Sequence, residues 1–187
     1  MADTRAARSR LIEIAKARSL RTGAAIKLAS GQTSTFYVNL KPTMLDAEGA
    51  HLIASLILDE LRGTPVDLVG GMEMGAVPLA ASVAATSYAQ GRPLRAFFVR
   101  KQAKDHGTRS LVEGLAVGET LDGKRIAMLE DVTTTGGSTM KAIEALRAEG
   151  AVIARVITVV DRLEGAAETF KRAGIPFTAI LTAADFR

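Results

Sequence analysis

RIAMLEDVTTTGGST, residues 125–139, reads as a buried strand that delivers two acids, Glu130 and Asp131, and then opens a helix through small hydroxyl and glycine residues. A strand leading directly into a helix in this way is one half of a βα unit, which implies a parallel sheet covered by helices. In an open sheet of that kind ligands bind beyond the carboxyl ends of the strands, so this segment marks a site. Gly136 and Gly137 let the backbone approach a phosphate closely. The N–H groups of Thr134 to Ser138 and the helix N-terminus attract negative charge. Thr133, Thr134, Thr135, Ser138 and Thr139 add hydroxyl donors. Neither G-x-x-x-x-G-K-[ST] nor G-x-G-x-x-G occurs in the chain, which removes the Walker A loop and the dinucleotide fingerprint. Two adjacent acids on a phosphate loop point instead to a phosphorylated sugar whose vicinal hydroxyls, or a bound Mg²⁺, are held by carboxylates. An isolated Gly-Gly after an acidic strand end is usually a tight turn with a helix cap; the whole pattern asks for more.

The same alternation extends in both directions. Leu52, Ile53, Leu56, Ile57 and Leu61 mark one face of a helix, followed by a strand VDLVG at 66–70. Pro78 suits a first helical turn, and that helix ends near Gly91. Strands LRAFFV (94–99), VIARVITVV (152–160) and FTAILT (177–182) follow, with helices over about 138–149 and before the last strand. These strands are almost continuously apolar, as expected when helices cover both faces. Ahead of them, a helix with apolar Leu11, Ile14 and Ala15 runs to about Leu20, and two strands near Ala25–Ala29 and Thr35–Leu40 flank a Ser30-Gly31 turn. The predicted organisation is one domain: residues 1–45 form the helix and a small hood hairpin, and 46–187 an α/β core. Residues 100–114 form a long charged connection without apolar periodicity, the mark of a functional lid.

Composition narrows the chemistry. The 187 residues include no cysteine, which excludes disulfides, thiolate metal sites and cysteine nucleophiles. MADTRAARSR has no apolar signal region, Asp3 and Glu13 speak against a transit peptide, and no apolar run reaches membrane-spanning length, so a cytoplasmic protein with no membrane partner is expected. A net charge of +4 suggests anionic ligands, and an aromatic content of 4% leaves little to stack nucleic-acid bases; small phosphorylated ligands are the expectation.

The 125–139 segment closely resembles the ribosyl-pyrophosphate motif of the type I phosphoribosyltransferases. Three further stretches are similar to the orotate branch of that family: VRKQAKDHGTRSLVEG (99–114), ASGQTSTFYVNL (29–40) and DRLEGA (161–166), with GGMEMGAVPLA (70–80) extending the likeness over most of the chain. The resemblance implies transfer of a phosphoribosyl group from 5-phosphoribosyl-1-pyrophosphate (PRPP) to orotate, giving orotidine 5′-monophosphate and pyrophosphate in pyrimidine biosynthesis. It implies Asp131, Lys101, Lys104 and His106 as catalytic residues. PRPP would be held by Arg100, Lys101, Lys104, His106, Glu130, Asp131, Thr133, Thr134, Thr135, Gly136, Gly137 and Ser138, and orotate by Thr135, Arg162, Tyr37 and Lys27. Mg²⁺ would sit on the substrate's pyrophosphate and ribose hydroxyls, with Asp131 or Glu130 reaching it directly or through water. A homodimer in which each lid covers the neighbouring subunit's site is implied as well.

Residue chemistry agrees. Lys101, Lys104 and Arg100 would neutralise charge developing on pyrophosphate, and the planar fork of Arg162 matches a carboxylate, though an ion pair with Asp161 or Glu164 is its plainer reading. His51 falls in the amphipathic helix after Asp46 and is assigned to structure or surface. Two positions depart from the family pattern. Ala29 stands where many members carry lysine, leaving Lys27 or Lys41 to supply that charge; the glycine loop reads Met72-Glu73-Met74, so its contribution falls to the N–H groups of Met74 to Ala76. The rival readings are a phosphoribosyltransferase for another base, decided by a base screen, and a noncatalytic sensor of the same fold, which has little use for the cations of the lid.

Overall fold

Asp3 starts the first helix by accepting the Arg5 N–H on its carboxylate (2.9 Å), and α1 (Thr4–Arg18) buries Leu11, Ile14 and Ala15. The computed structural model describes residues 3–27, 33–102 and 111–187. The helix stops two residues before the predicted Leu20, because Ser19 is committed elsewhere: its hydroxyl shares a buried hydrogen bond with that of Thr43 (2.6 Å), and its carbonyl accepts the Asn39 N–H. That link fixes the base of an antiparallel hairpin, β1 (Leu20–Lys27) and β2 (Thr33–Val38), with Leu20 opposite Val38 and Lys27 opposite Thr33. The first strand thus starts five residues earlier than predicted, and the Ser30-Gly31 turn lies outside the described residues. A short helix that periodicity could not show, α2 (Lys41–Met44), carries Pro42 in its first turn and leads to α3 (Ala47–Glu60), capped by Asp46 on the Gly49 N–H (3.0 Å).

The main sheet is built from β3 (Leu68–Met72), β4 (Arg95–Val99), β5 (Val112–Glu113), β6 (Arg125–Thr133), β7 (Val152–Asp161) and β8 (Phe177–Thr182), in the order β5-β4-β3-β6-β7-β8. All pairings are parallel except β4 with β5, where Val99 faces Val112. The edge strand β5 makes the sheet mixed; a two-residue strand carries no periodicity from which to predict it. Three helices cross over between parallel strands: α4 (Ala76–Ala89), α5 (Gly137–Ala148) and α6 (Ala166–Arg172), and a 3₁₀ turn, Ala183–Phe186, closes the chain.

Alternate residues along each strand enter opposite cores, which is why the strands read as unbroken apolar runs. Val69, Ala127, Leu129 and Ile157 pack with Leu11, Ile53, Ile57, Leu79 and Val83 from α1, α3 and α4. Leu68, Ile126, Met128 and Val156 pack with Ile143, Leu146 and Phe170 from α5 and α6. At the opposite end from the site, Arg125 grips Asp67 with its N–H and guanidinium (2.7–2.9 Å), holding that carboxyl well below the usual range and aligning the starts of β3 and β6. No helix among the described residues is long and apolar enough to cross a membrane.

Candidate active site

Strand order reverses between β3 and β6: β4 follows β3 on one side, and β6 lies on the other. At such a switch point the connections leave in opposite directions and open a crevice at the carboxyl ends of the two strands. The crevice is present, with a volume of about 350 Å³, and it is walled by Glu73, Met74 and Gly75 after β3, Glu130 and Asp131 on β6, Ser138 on α5, Lys101 after β4, and Lys41. A hollow of about 750 Å³ elsewhere, lined by His51, Arg62, Arg92 and Leu94, is larger. It sits by the amino-terminal ends of β3 and β4, away from the acids and the glycine loop, so volume there does not identify the chemistry.

The two acids differ in environment. Glu130 is 8% exposed, and its Oε2 accepts the hydroxyl of buried Thr139 (2.7 Å). Burial pushes its carboxyl up to about 8 against the opposing pull of that hydrogen bond, and the neighbouring Asp131 charge adds to the rise. Asp131 is half-buried and faces the crevice; its Oδ1 accepts the Val132 N–H (2.9 Å). A Cβ on Gly75 would overlap the Asp131 carboxylate, so glycine lets the loop after β3 close on the acid without displacing that side chain.

The phosphate loop is shaped by Gly136, whose φ of +82° and position against the ring of Phe170 (a Cβ would lie 3.0 Å from it) both favour glycine. No side chain caps α5, which leaves its first N–H groups to a ligand. Thr134 is half-buried, and Thr135, Gly137 and Ser138 are exposed. Two of the expected hydroxyl donors are engaged elsewhere: Thr139 holds Glu130, and buried Thr133 donates to the Thr158 hydroxyl (2.9 Å).

Arg162 follows β7 and is tied to the end of β6 through its N–H on the Thr133 carbonyl (2.9 Å). Its side chain is only 12% exposed, pairs with Glu164 (2.7 Å), and leaves Nε buried with no acceptor among the described residues. An unsatisfied guanidinium N–H of this kind is unfavourable without a ligand acceptor. The ion pair anticipated from sequence is therefore present but incomplete.

Arg100 lies at the base of the charged connection, its N–H on the Leu111 carbonyl (2.8 Å) and its guanidinium 3.6 Å from Glu113. Lys101 is exposed and lines the crevice. Lys104 and His106, and the side chain of Lys27, lie outside the described residues. Tyr37 is half-buried on β2, Lys41 reaches the crevice wall, and His51 is exposed on α3. What sequence reasoning missed is Glu73, whose carboxylate accepts the Lys101 N–H (2.8 Å); its only sequence signal was an acid within the glycine loop.

Among the described residues no three side chains converge as metal ligands. The donor set still fits a hard cation that takes most of its oxygens from a phosphorylated substrate and one or two from Asp131 and Glu130.

Comparison with known proteins gives a consistent answer. The phosphoribosyl transferase domain family matches residues 42–178. The chain is 56% identical over 181 residues to an orotate phosphoribosyltransferase of Rhodopseudomonas palustris, covering 97% of this chain and 96% of that one. It is 55% identical to its counterpart from a Bradyrhizobium species, covering 97% of each. The crystal structure of Mycobacterium tuberculosis orotate phosphoribosyltransferase in complex with 5-phospho-alpha-D-ribosyl 1-diphosphate superimposes with a TM-score of 0.80 at 32% identity, over 96% of this chain and 98% of that one. With acid strand end, glycine loop and switch-point crevice in the places such a fold requires, the chain belongs to the phosphoribosyl transferase domain family and, within it, to the orotate phosphoribosyltransferases.

Proposed function

We propose that this protein transfers the phosphoribosyl group of PRPP to orotate, releasing pyrophosphate and forming orotidine 5′-monophosphate for pyrimidine biosynthesis. The observation that carries the choice of base is Arg162, a nearly buried guanidinium held beside the phosphate loop with one N–H unanswered among the described residues. A planar fork of this kind suits a carboxylate and an adjacent ring oxygen, which orotate offers and the purine bases do not. Thr135, Tyr37 and Lys27 complete the base site in this reading.

The C1–oxygen bond to pyrophosphate breaks with its electron pair leaving on oxygen, and the orotate ring nitrogen, giving up its proton to pyrophosphate or solvent, forms the bond to C1 that replaces it. Lys101, with Arg100, Lys104 and His106 from the same connection, neutralises the departing charge. Asp131 and Glu130 hold the ribose hydroxyls, and the Asp131 carboxylate opposes the positive charge growing at the sugar. The N–H groups of Gly137 and Ser138, with Thr134 and Thr135, receive the 5′-phosphate. Asp131 or Glu130, directly or through water, would help substrate oxygens to hold a Mg²⁺, which would supply further charge neutralisation at the pyrophosphate. Residues 100–114 act as a lid that keeps water from the reacting carbon.

We further propose a homodimer whose lids serve the neighbouring sites. Met74, 63% exposed, borders the crevice, and Leu45, 76% exposed, follows the helix bearing Lys41; apolar surface beside a site suits cover by a second copy. PRPP carries several charges and does not cross a bilayer unaided, which supports a cytoplasmic reaction as part of this proposal.

The test is direct. Purified protein with PRPP, Mg²⁺ and orotate is expected to consume orotate and release equimolar pyrophosphate, while uracil and the purine bases give no turnover. Turnover of a purine in place of orotate would refute the assignment.

A further inference from the structure

Glu73 is an acid in a crevice read as the seat of pyrophosphate, where a like charge is unfavourable unless it has another task. Its hydrogen bonds indicate one. The Glu73 N–H donates to the Val99 carbonyl (2.8 Å), extending the β3–β4 ladder by one step past Met72. Its Oε1 accepts the Lys101 N–H, also at 2.8 Å. A single residue thus grips the exit of β4 at two points, on either side of Arg100.

Neighbouring residues explain why a side chain does this. In an extended chain successive N–H groups point to opposite sides. The Arg100 N–H goes to Leu111, on the returning strand, so the Lys101 N–H faces the side of β3. By that level β3 has already ended, and no backbone carbonyl among the described residues accepts the Lys101 N–H. The Glu73 carboxylate stands in for the missing acceptor. With its N–H held there, Lys101 leaves the sheet in a set direction, along the wall of the crevice.

We propose that Glu73 is a positioning residue that fixes the backbone at Lys101 and thereby presents the Lys101 ammonium to the substrate's pyrophosphate. The inference rests on reading this crevice as the pyrophosphate site. It makes a prediction opposite in sign to that of a bystander acid: removal of a mere like charge would tighten binding of an anion, whereas loss of the positioning contact weakens it.

The experiment measures PRPP binding by calorimetry in Mg²⁺ together with steady-state kinetics for Glu73→Ala, Glu73→Gln, Lys101→Ala and the Glu73→Ala/Lys101→Ala double variant. Glu73→Ala is expected to weaken PRPP binding and kcat/KM for PRPP about tenfold, as for loss of one charge-assisted hydrogen bond and the alignment it maintains. KM for orotate and the melting temperature stay near wild type. Glu73→Gln keeps a carbonyl acceptor and remains within about threefold of wild type. Lys101→Ala weakens PRPP by itself, and adding Glu73→Ala to it changes little, because the two act through one group. Tighter or unchanged binding in Glu73→Ala, a Gln variant as impaired as Ala, or effects that multiply in the double variant would each overturn the inference. If Lys101→Ala itself binds PRPP normally, the pyrophosphate assignment of the crevice falls with it; if Lys101→Ala weakens PRPP and the Glu73 variants alone depart from expectation, that assignment stands.

Discussion

Glu130→Gln replaces a buried acid with a neutral group of nearly equal volume that still bonds the Thr139 hydroxyl, so it isolates the consequence of burying a carboxyl. In the free protein that carboxyl is raised from 4.5 to about 8, chiefly by burial. Because the folded value lies above the unfolded one, the protonated acid is compatible with the fold at low pH, and stability is lost as pH rises through the interval between the two values. By linkage, the loss is on the order of 3 kcal/mol at pH 7 and approaches about 5 kcal/mol above pH 8. Urea unfolding of wild type and Glu130→Gln, compared pH by pH in chelator without substrate, cancels the titration of the groups that Glu130 does not influence, which excludes only the neighbouring Asp131. The variant is expected to gain on wild type steadily from about pH 5 to 8, by ~3 kcal/mol near neutrality. A difference that stays flat over this interval, or that favours wild type as pH rises, would refute the account of Glu130 as an acid held neutral by burial.

Arg162→Ala should weaken orotate binding by about 1.5–3 kcal/mol while leaving PRPP binding close to wild type, since it removes a charge-assisted partner of the base alone; equal weakening of both ligands by calorimetry would move Arg162 out of the base site. Asp131→Asn is expected to abolish most turnover without altering the melting temperature, and excess chelator should suppress the wild-type rate similarly; full activity in chelator would end the metal-assisted mechanism. For the shared lid, Lys104→Ala and Asp131→Asn subunits unfolded and refolded together should recover about a quarter of the sites, because each heterodimer pairs one sound lid with one sound motif. Activity no greater than the sum of the separate variants, with heterodimers present, would place the lid in its own subunit.

Much of the site was legible in the linear order of residues. Glu130, Asp131, Gly136 and Ser138 fall within one short segment, and its strand-to-helix transition brings them to one mouth of the sheet whatever the rest of the chain does. The parallel core was readable for a related reason: strands covered on both faces bury every residue, and Ile126 to Leu129 show it as an unbroken apolar run. Short elements escaped. The two residues of β5 and the single turn of α2 are too brief for any period to register, and β1 starts early because Ser19 has a distant partner in Thr43.

By itself, then, the sequence determined the elements whose information is local: periodic strands and helices, the acid pair, the glycine turn, the absence of cysteine chemistry. Only the tertiary structure decided how groups far apart in the chain divide their hydrogen bonds. Thr133 and Thr139 look like phosphate ligands in the motif, yet Thr158 and Glu130 take their hydroxyls. Glu73 looks like a misplaced charge until Lys101, contributed by the neighbouring strand, arrives beside it. Arg162 looks like half of a surface ion pair until burial leaves its Nε without an acceptor among the described residues. Each of these outcomes depends on which polar groups are left opposite one another once the sheet has assembled and water has been excluded, and spacing along the chain does not encode that.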